Sequence, residues 1–324
     1  MKRHFFFVCI SLVSLSLSAQ QLHVMSVTGK VYQVKEQDNK QQRLRLLPGL
    51  AIDKEGVLEL YESAEIEFLH GGNTLTLKDP GKYEISRLVS GSTQKPPGMN
   101  FSSRFLNFIN EGLNHSNSAV ELEKHYRKHM ENATGGTQGF GEKDYPVLAI
   151  NPLSGYLSGG QVMFTWYACR DSSSAAGYAF ELIDSRNDQL LYKAIIKDTF
   201  HILDLDQLLL EEEEVYDWKV TAMPKESVAT PLSSPDIPFL IRPMEWASMQ
   251  KRLESIPLYN SANPSRRTWM EALMLEREKY IYEAYIRLQK LTEKEPDNLL
   301  VRKLFATFLA RHGLVKRAEN ILKK

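Results

Sequence analysis

Tyr216-Asp217-Trp218-Lys219-Val220-Thr221 sets large apolar side chains on alternate positions, the period-two pattern of a strand with one buried face. Similar short runs flank it at residues 162–166, 178–183, 190–196, 200–203 and 237–241. Their spacing, punctuated by turn residues, predicts a β-sandwich of about seven short strands over residues 145–243.

Working outward from this unit, residues 22–88 repeat the strand-and-turn alternation, with runs at 24–34, 57–61, 65–69, 74–77 and 83–85. They predict a separate all-β unit over residues 20–90. Gly71-Gly72-Asn73 reads as a tight hairpin, because Gly and Asn enter positive φ at little cost, and Lys78-Asp79-Pro80-Gly81 supplies a second turn. Residues 91–144 read as a linker with short helices: a polar stretch over 90–98 is followed by Phe101, Phe105, Phe108 and Ile109, then Val120, Leu122 and Tyr126. Two helices packed on a neighbouring sheet are the expectation. Beyond the polar stretch 261–267 the apolar period shifts to about 3.6, so residues 244–324 form a helical segment. The fold class is therefore multi-domain, mainly β, with a C-terminal α segment.

The composition sets limits on function. The 324 residues carry 40 Lys+Arg against 40 Asp+Glu, 43% hydrophobic and 25% charged, which fits folded cores and removes the electrostatic case for a nucleic-acid partner. Lys2 and Arg3 precede an apolar stretch from Phe5 to Leu17 and small residues at Ser18 and Ala19, the pattern of a secretory signal peptide over residues 1–19. Its removal would leave a net charge of −2 and one cysteine, Cys169, since Cys9 lies in the leader. Val8 stands where a lipoprotein leader places a small residue, so lipidation is not expected. The expected location is exported, periplasmic or cell-surface, with no membrane segment left after cleavage and no disulfide framework.

Three resemblances sharpen these readings. The run 58–85, with Ser63-Ala64-Glu65-Ile66-Glu67-Phe68-Leu69-His70-Gly71-Gly72 and then Leu75-Thr76-Leu77, resembles the β-domain of FecR-type proteins. In those sigma-factor regulators the domain follows a cytoplasmic helical segment and a transmembrane helix, an arrangement this sequence does not repeat. The sandwich segment resembles a fibronectin type III or immunoglobulin-like domain: Pro152 and Gly155 lead into Phe164-Thr165-Trp166, and Leu210 stands six residues before Tyr216. The resemblance implies that the Tyr216 hydroxyl closes the loop of Glu211 to Glu214. The last section resembles tetratricopeptide repeats. Ala284, Leu288, Leu291 and Pro296 fit the repeat pattern, Ala318 follows Ala284 by 34 residues, and Gly313 sits at the inter-helix turn, while Ala272 and Ala306 stand in place of the usual Gly. Such repeats build their concave face from first helices, which implies Trp269, Leu273, Lys303 and Thr307 as partner-binding residues.

Reactive groups are harder to find. His125 and His129 lie four apart on one helical face, but Lys124, Arg127 and Lys128 surround them and no further His or Cys completes a set in the sequence; they read as a solvated face. The glycine-rich run from Gly135 to Gly141 lacks a Lys-Ser/Thr ending and reads as a linker. Glu211 to Glu214 read as solvated acids, and Cys169 as a buried strand-end thiol. Neither Gly-x-Ser-x-Gly nor His-Glu-x-x-His occurs. The expectation is a non-enzyme without catalytic residue, cofactor or metal. It would be an extracytoplasmic adaptor or scaffold binding another envelope protein through its helices and β modules. The alternatives are a FecR-like envelope sensor, and a cell-wall carbohydrate binder that stacks sugars on Trp246 or Trp269.

Overall fold

A computed structural model describes residues 21–37, 40–52, 55–92, 101–132, 147–167, 175–224 and 232–323. The expected signal peptide, the glycine-rich run and Cys169 lie outside these residues. The architecture is mixed, with β units and a larger share of helix than expected.

The N-terminal unit comprises β1 (Leu22–Thr28), β2 (Val31–Gln37), β3 (Lys40–Arg45), β4 (Ala51–Ile52), β5 (Val57–Leu60), β6 (Glu65–His70), β7 (Asn73–Leu77) and β8 (Gly81–Glu84). They form two four-stranded sheets, ordered β4-β1-β6-β7 and β3-β2-β5-β8. Leu22, Val24, Val31, Leu58, Ile66 and Phe68 fill the space between them. The hairpin is as expected: His70 pairs with Asn73 across Gly71 and Gly72, whose φ values of 53° and 80° are those of a turn requiring two left-handed residues. Ile85 does not extend the last strand. It opens helix α1 (Ile85–Ser92), which takes up the first residues of the expected linker and buries Ile85 and Val89.

Helices α2 (Phe101–Asn114) and α3 (Ala119–Asn132) follow. The sandwich then runs β9 (Leu148–Asn151), β10 (Gly155–Leu157), β11 (Gln161–Tyr167), β12 (Ala175–Asp184), β13 (Gln189–Ile196), β14 (Phe200–Asp204), β15 (Val215–Pro224), β16 (Leu232–Ser233) and β17 (Ile237–Ile241). One sheet is ordered β14-β11-β9 and the other β10-β17-β15-β12-β13, with β16 beside β15. Of these nine strands, β9, β10 and β16, of four, three and two residues, fall outside the six expected runs and are too short to carry a period. Inward-facing aromatics meet edge to face, Phe164 lying 4.9 Å from Phe180 and 5.2 Å from Trp218. The Tyr216 hydroxyl accepts the Glu211 N–H at 2.8 Å, closing the loop where it was expected to.

The C-terminal section holds α4 (Trp246–Glu254), α5 (Pro257–Asn260), α6 (Pro264–Arg277), α7 (Ile281–Lys294), α8 (Leu299–Arg311) and α9 (Val315–Lys323). Much of the polar stretch 261–267 is a helix start: the Asn263 side chain accepts the Arg266 N–H, and Pro264 occupies the first turn, where no N–H is needed. Asn298 caps α8 through Val301 in the same way. α6 packs on α7 and α8 on α9, and Ala284 and Ala318, both fully buried, hold equivalent places in the two pairs.

Both β units are seated on these helices. Met25 and Leu69 of the N-terminal unit belong to the helical core, and the buried Arg266 Nη1 donates to Glu67 Oε2 at 2.6 Å. A Cβ added to Gly49 would lie 2.5 Å from the backbone nitrogen of Leu300, so the N-terminal unit meets the start of α8 backbone to backbone. The sandwich is tied through Tyr156 N–H to Lys279 O at 2.8 Å and Met163 N–H to the Tyr282 hydroxyl at 3.0 Å. Gly49 also has φ 90°, so Gly49→Ala combines strain with a clash. The variant is expected to lose about 2–3 kcal/mol of stability, read by denaturant unfolding; an unchanged midpoint would mean this contact does not seat the unit.

Candidate functional site

The concave face of the paired helices is already filled. α2 and α3 do not lie mainly on a sheet as expected: α2 packs along α8 with smaller contacts to β6 and β7, and α3 packs along α8 and α9. Phe105, Ile109, Leu113 and Leu122 from this hairpin enter one core with the residues of α6 to α9.

The four expected partner contacts are accordingly interior. Trp269 is 2% exposed, Leu273 1%, Lys303 8% and Thr307 1%. The Lys303 ammonium donates to Asn117 Oδ1 at 2.8 Å in the α2–α3 turn, and the Thr307 hydroxyl donates back to the carbonyls of Lys303 and Leu304. The reading of these residues as a partner-binding groove is corrected on this point: the chain's own helices occupy the face. Trp269 is likewise unavailable to a sugar ring, and the half-buried Trp246 lies under the Arg287 guanidinium, 4.9 Å from the ring centroid. No exposed tryptophan stands ready for carbohydrate stacking among these two.

Polar groups buried at this junction have strongly altered titration. The Glu276 carboxylate accepts from Arg311 at 2.7 and 2.6 Å, while the Arg311 guanidinium also covers the Phe108 ring of α2. Burial pushes the Glu276 carboxyl up, but the Arg311 charge and the bonds from His312 and Arg311 more than reverse this and leave it at about 2. His23 of β1 contacts Asn114 through Nε2 at 2.8 Å, and its Nδ1 has no hydrogen-bond partner among the described residues. Burial lowers its imidazole to about 4, against the Asn114 bond and with help from the nearby Lys303 and His70 charges. Burial also pushes Lys303 down. The Glu283 carboxyl is pushed up by burial, although Ser158 N–H and Oγ both donate to its Oε1.

Glu211, Glu212 and Glu213 are exposed, as expected, but three of the four acids are also ion-paired. Arg186 bridges Glu211 and Glu214 at 3.1 and 3.6 Å, and Arg242 forms a fork on Glu213 with bonds of 2.5 and 2.6 Å. These three pairs brace the loop that Tyr216 closes. His125 departs from its expected setting as well, being buried against the His115 ring.

What remains open to solvent lies elsewhere. On the outer face of the three-stranded sheet, Phe200 and Ile202 of β14 are 46% and 54% exposed, opposite Thr165 and Met163 of β11, and exposed Tyr167 stands further along β11. β14 is an edge strand. A separate polar cleft of about 400 Å³ lies between α7, α8 and α9, lined by Glu293, Asp297, Arg302, Phe305 and Arg317 among others. Among the described residues, no helix is long and apolar enough to cross a membrane. No protein-family profile matches the chain, and a search of curated proteins finds no match.

Two measurements follow from the junction. Lys303→Glu would add a carboxylate near Glu121 and lose the Asn117 bond, and Thr307→Glu would bury a charge; each is expected to cost about 3 kcal/mol. Thermal unfolding checks this, and melting at the wild-type temperature would contradict the filled face. The second concerns acid. His23 stays neutral in the fold below the 6.5 at which it charges in the unfolded chain, so its contribution is lost as pH falls from 6.5 toward about 4. Glu276 then takes a proton in the unfolded chain first, and its contribution drains between about 4.5 and about 2. Glu283 acts oppositely, since its raised value costs stability as pH rises above the ordinary carboxyl range. Denaturant midpoints should fall steadily between pH 6.5 and 4, and His23→Gln should flatten that slope; an equal slope in the variant would contradict the assignment.

Proposed function

We propose that this chain is a non-enzymatic, exported adaptor of the bacterial envelope, in which the helices form an internal hub and the sandwich presents the contact surface to another exported protein. The Lys2-Arg3 and Phe5 to Leu17 pattern supports export. Three features support the modular reading. The N-terminal two-sheet unit with its Gly71-Gly72 hairpin agrees with a FecR-type resemblance. The strand order of the sandwich and its Tyr216 closure agree with a fibronectin type III or immunoglobulin-like domain. The equivalent buried places of Ala284 and Ala318, 34 residues apart in sequence, agree with tetratricopeptide-like pairs.

The observation that carries the proposal is the contrast between two edge strands. β3, fully exposed, bears Lys40, Arg43 and Arg45, charges that discourage pairing with another chain. β14 bears no Lys or Arg and shows Phe200 and Ile202 to solvent. An extended apolar segment of a partner could add to this edge, with main-chain bonds for affinity and the two side chains for specificity. The sensor alternative has no comparable feature in the described residues.

The test is cross-linked capture from an envelope fraction with the full chain and with the Phe200→Lys/Ile202→Lys variant, followed by amide exchange on the purified complex. The expected result is a partner that protects amides 200–204 and is lost in the variant, whose melting temperature stays unchanged. A partner held equally by both proteins, or one that leaves those amides exchanging freely, would overturn the edge-strand assignment.

A further inference from the structure

The turn between α2 and α3 brings together three metal-binding side chains that the sequence scatters. Glu111 lies on the last turn of α2, His115 one residue past its end, and His125 midway along α3. One ligating atom from each can be chosen so that all three lie within 4.8 Å of one another. The two imidazoles stack with centroids 4.7 Å apart and planes inclined by 18°, which holds the rings next to each other across the turn. His125 is buried, His115 half-buried and Glu111 exposed, which gives the group a fixed floor and one adjustable ligand at its mouth.

We propose that Glu111, His115 and His125 bind a single divalent first-row cation, with zinc as the ion of best fit. Two imidazole nitrogens and one carboxylate oxygen are donors that zinc accepts readily, and three protein ligands leave a fourth tetrahedral position for water. Bonds of about 2.0–2.2 Å would bring ligand atoms to roughly 3.4 Å from one another. Closing from a spread of up to 4.8 Å to that separation requires side-chain adjustment on binding, for which the exposed Glu111 and half-buried His115 have room. Of the three cations beside His125 in sequence, Arg127 is bonded to Glu123 at 2.7 Å, and Glu111 brings a negative charge of its own.

The position gives the ion a mechanical role. Asn114 and Asn117 belong to the same turn and hold His23 and Lys303, so this elbow already pins the N-terminal unit and α8 to the helical hairpin. An ion bridging Glu111 and His115 to His125 would fasten the two helices at the end where they cover the concave face. The inference is independent of the adaptor reading.

Calorimetric titration of Zn²⁺ into the untagged, chelator-treated full chain, with bound metal measured after gel filtration, tests the assignment. One equivalent of retained zinc and a raised melting temperature are expected. Glu111→Gln and His115→Gln, which alter exposed and half-buried side chains, should each weaken binding at least tenfold while the metal-free protein melts as the wild type does. His125→Gln, at the buried position, should abolish retention. Cobalt(II) should give a visible absorption band in the wild type that is lost in His115→Gln. Absence of retained zinc in the wild-type protein, or full binding in the Glu111→Gln/His115→Gln double variant, would overturn the proposal.

Discussion

Two pairs of helices cannot hide their own inner wall. In longer stacks of such pairs each unit is covered by the next, and the curved surface that remains can be left to a ligand. Here α6 to α9 make only two pairs, and their first helices are largely buried: α6 buries eight of its fourteen residues and α8 eleven of its thirteen. Apolar surface withdrawn from water stabilises by about 25 cal/mol per Å², so leaving this face uncovered would cost the fold stability. The α2–α3 hairpin meets the requirement from within the chain. Most of the remaining architecture depends on this closure, because the hairpin also carries the contacts to β6, β7 and His23 that seat the N-terminal unit.

The buried charges follow from the same geometry. Covering a face that contains Lys303, Arg311, Glu276 and Arg266 takes ionic groups out of water, and each must then find a partner inside. Glu276 and Arg311 answer each other, Arg266 answers Glu67 across the boundary with the N-terminal unit, and Lys303 takes Asn117. Such pairs contribute little net stability compared with apolar packing of the same volume, but removing one partner leaves a stranded charge. They act as registration marks: the N-terminal unit can sit on the helices in the one placement that satisfies Glu67, His23 and Gly49 together.

Much of the secondary structure was legible because it rests on local rules. Period two marked the β runs, two glycines marked the β6–β7 turn, and Asn298 and Gly313 stand at helix boundaries for capping and turn reasons that act within a few residues. Tyr216 was readable for the same reason, its partner being five residues away. Failures came where local signal is thin or contradictory. β9, β10 and β16 are too short to show alternation, and α1 begins at a residue, Ile85, whose neighbours continue a strand pattern. Residues 264–267 looked like a break because Pro and Asn mark helix starts as well as loops.

The larger misreading was of surfaces, and it has a different cause. Amphipathic period predicts that a helix face is buried but not by what. Lys303 and Thr307 on the inner side of α8 read as outward groups because their covers, Asn117 and Gly112, lie nearly two hundred residues earlier. His125 was paired in sequence with His129, four residues on, since that is the spacing a single helix makes visible. The fold instead brings His115 back across a turn, a contact fixed by the four residues between α2 and α3 rather than by helical period. A ligand set assembled across such a turn leaves no regular spacing behind, so the chemistry at Glu111, His115 and His125 emerges only once the hairpin is closed over the helices it covers.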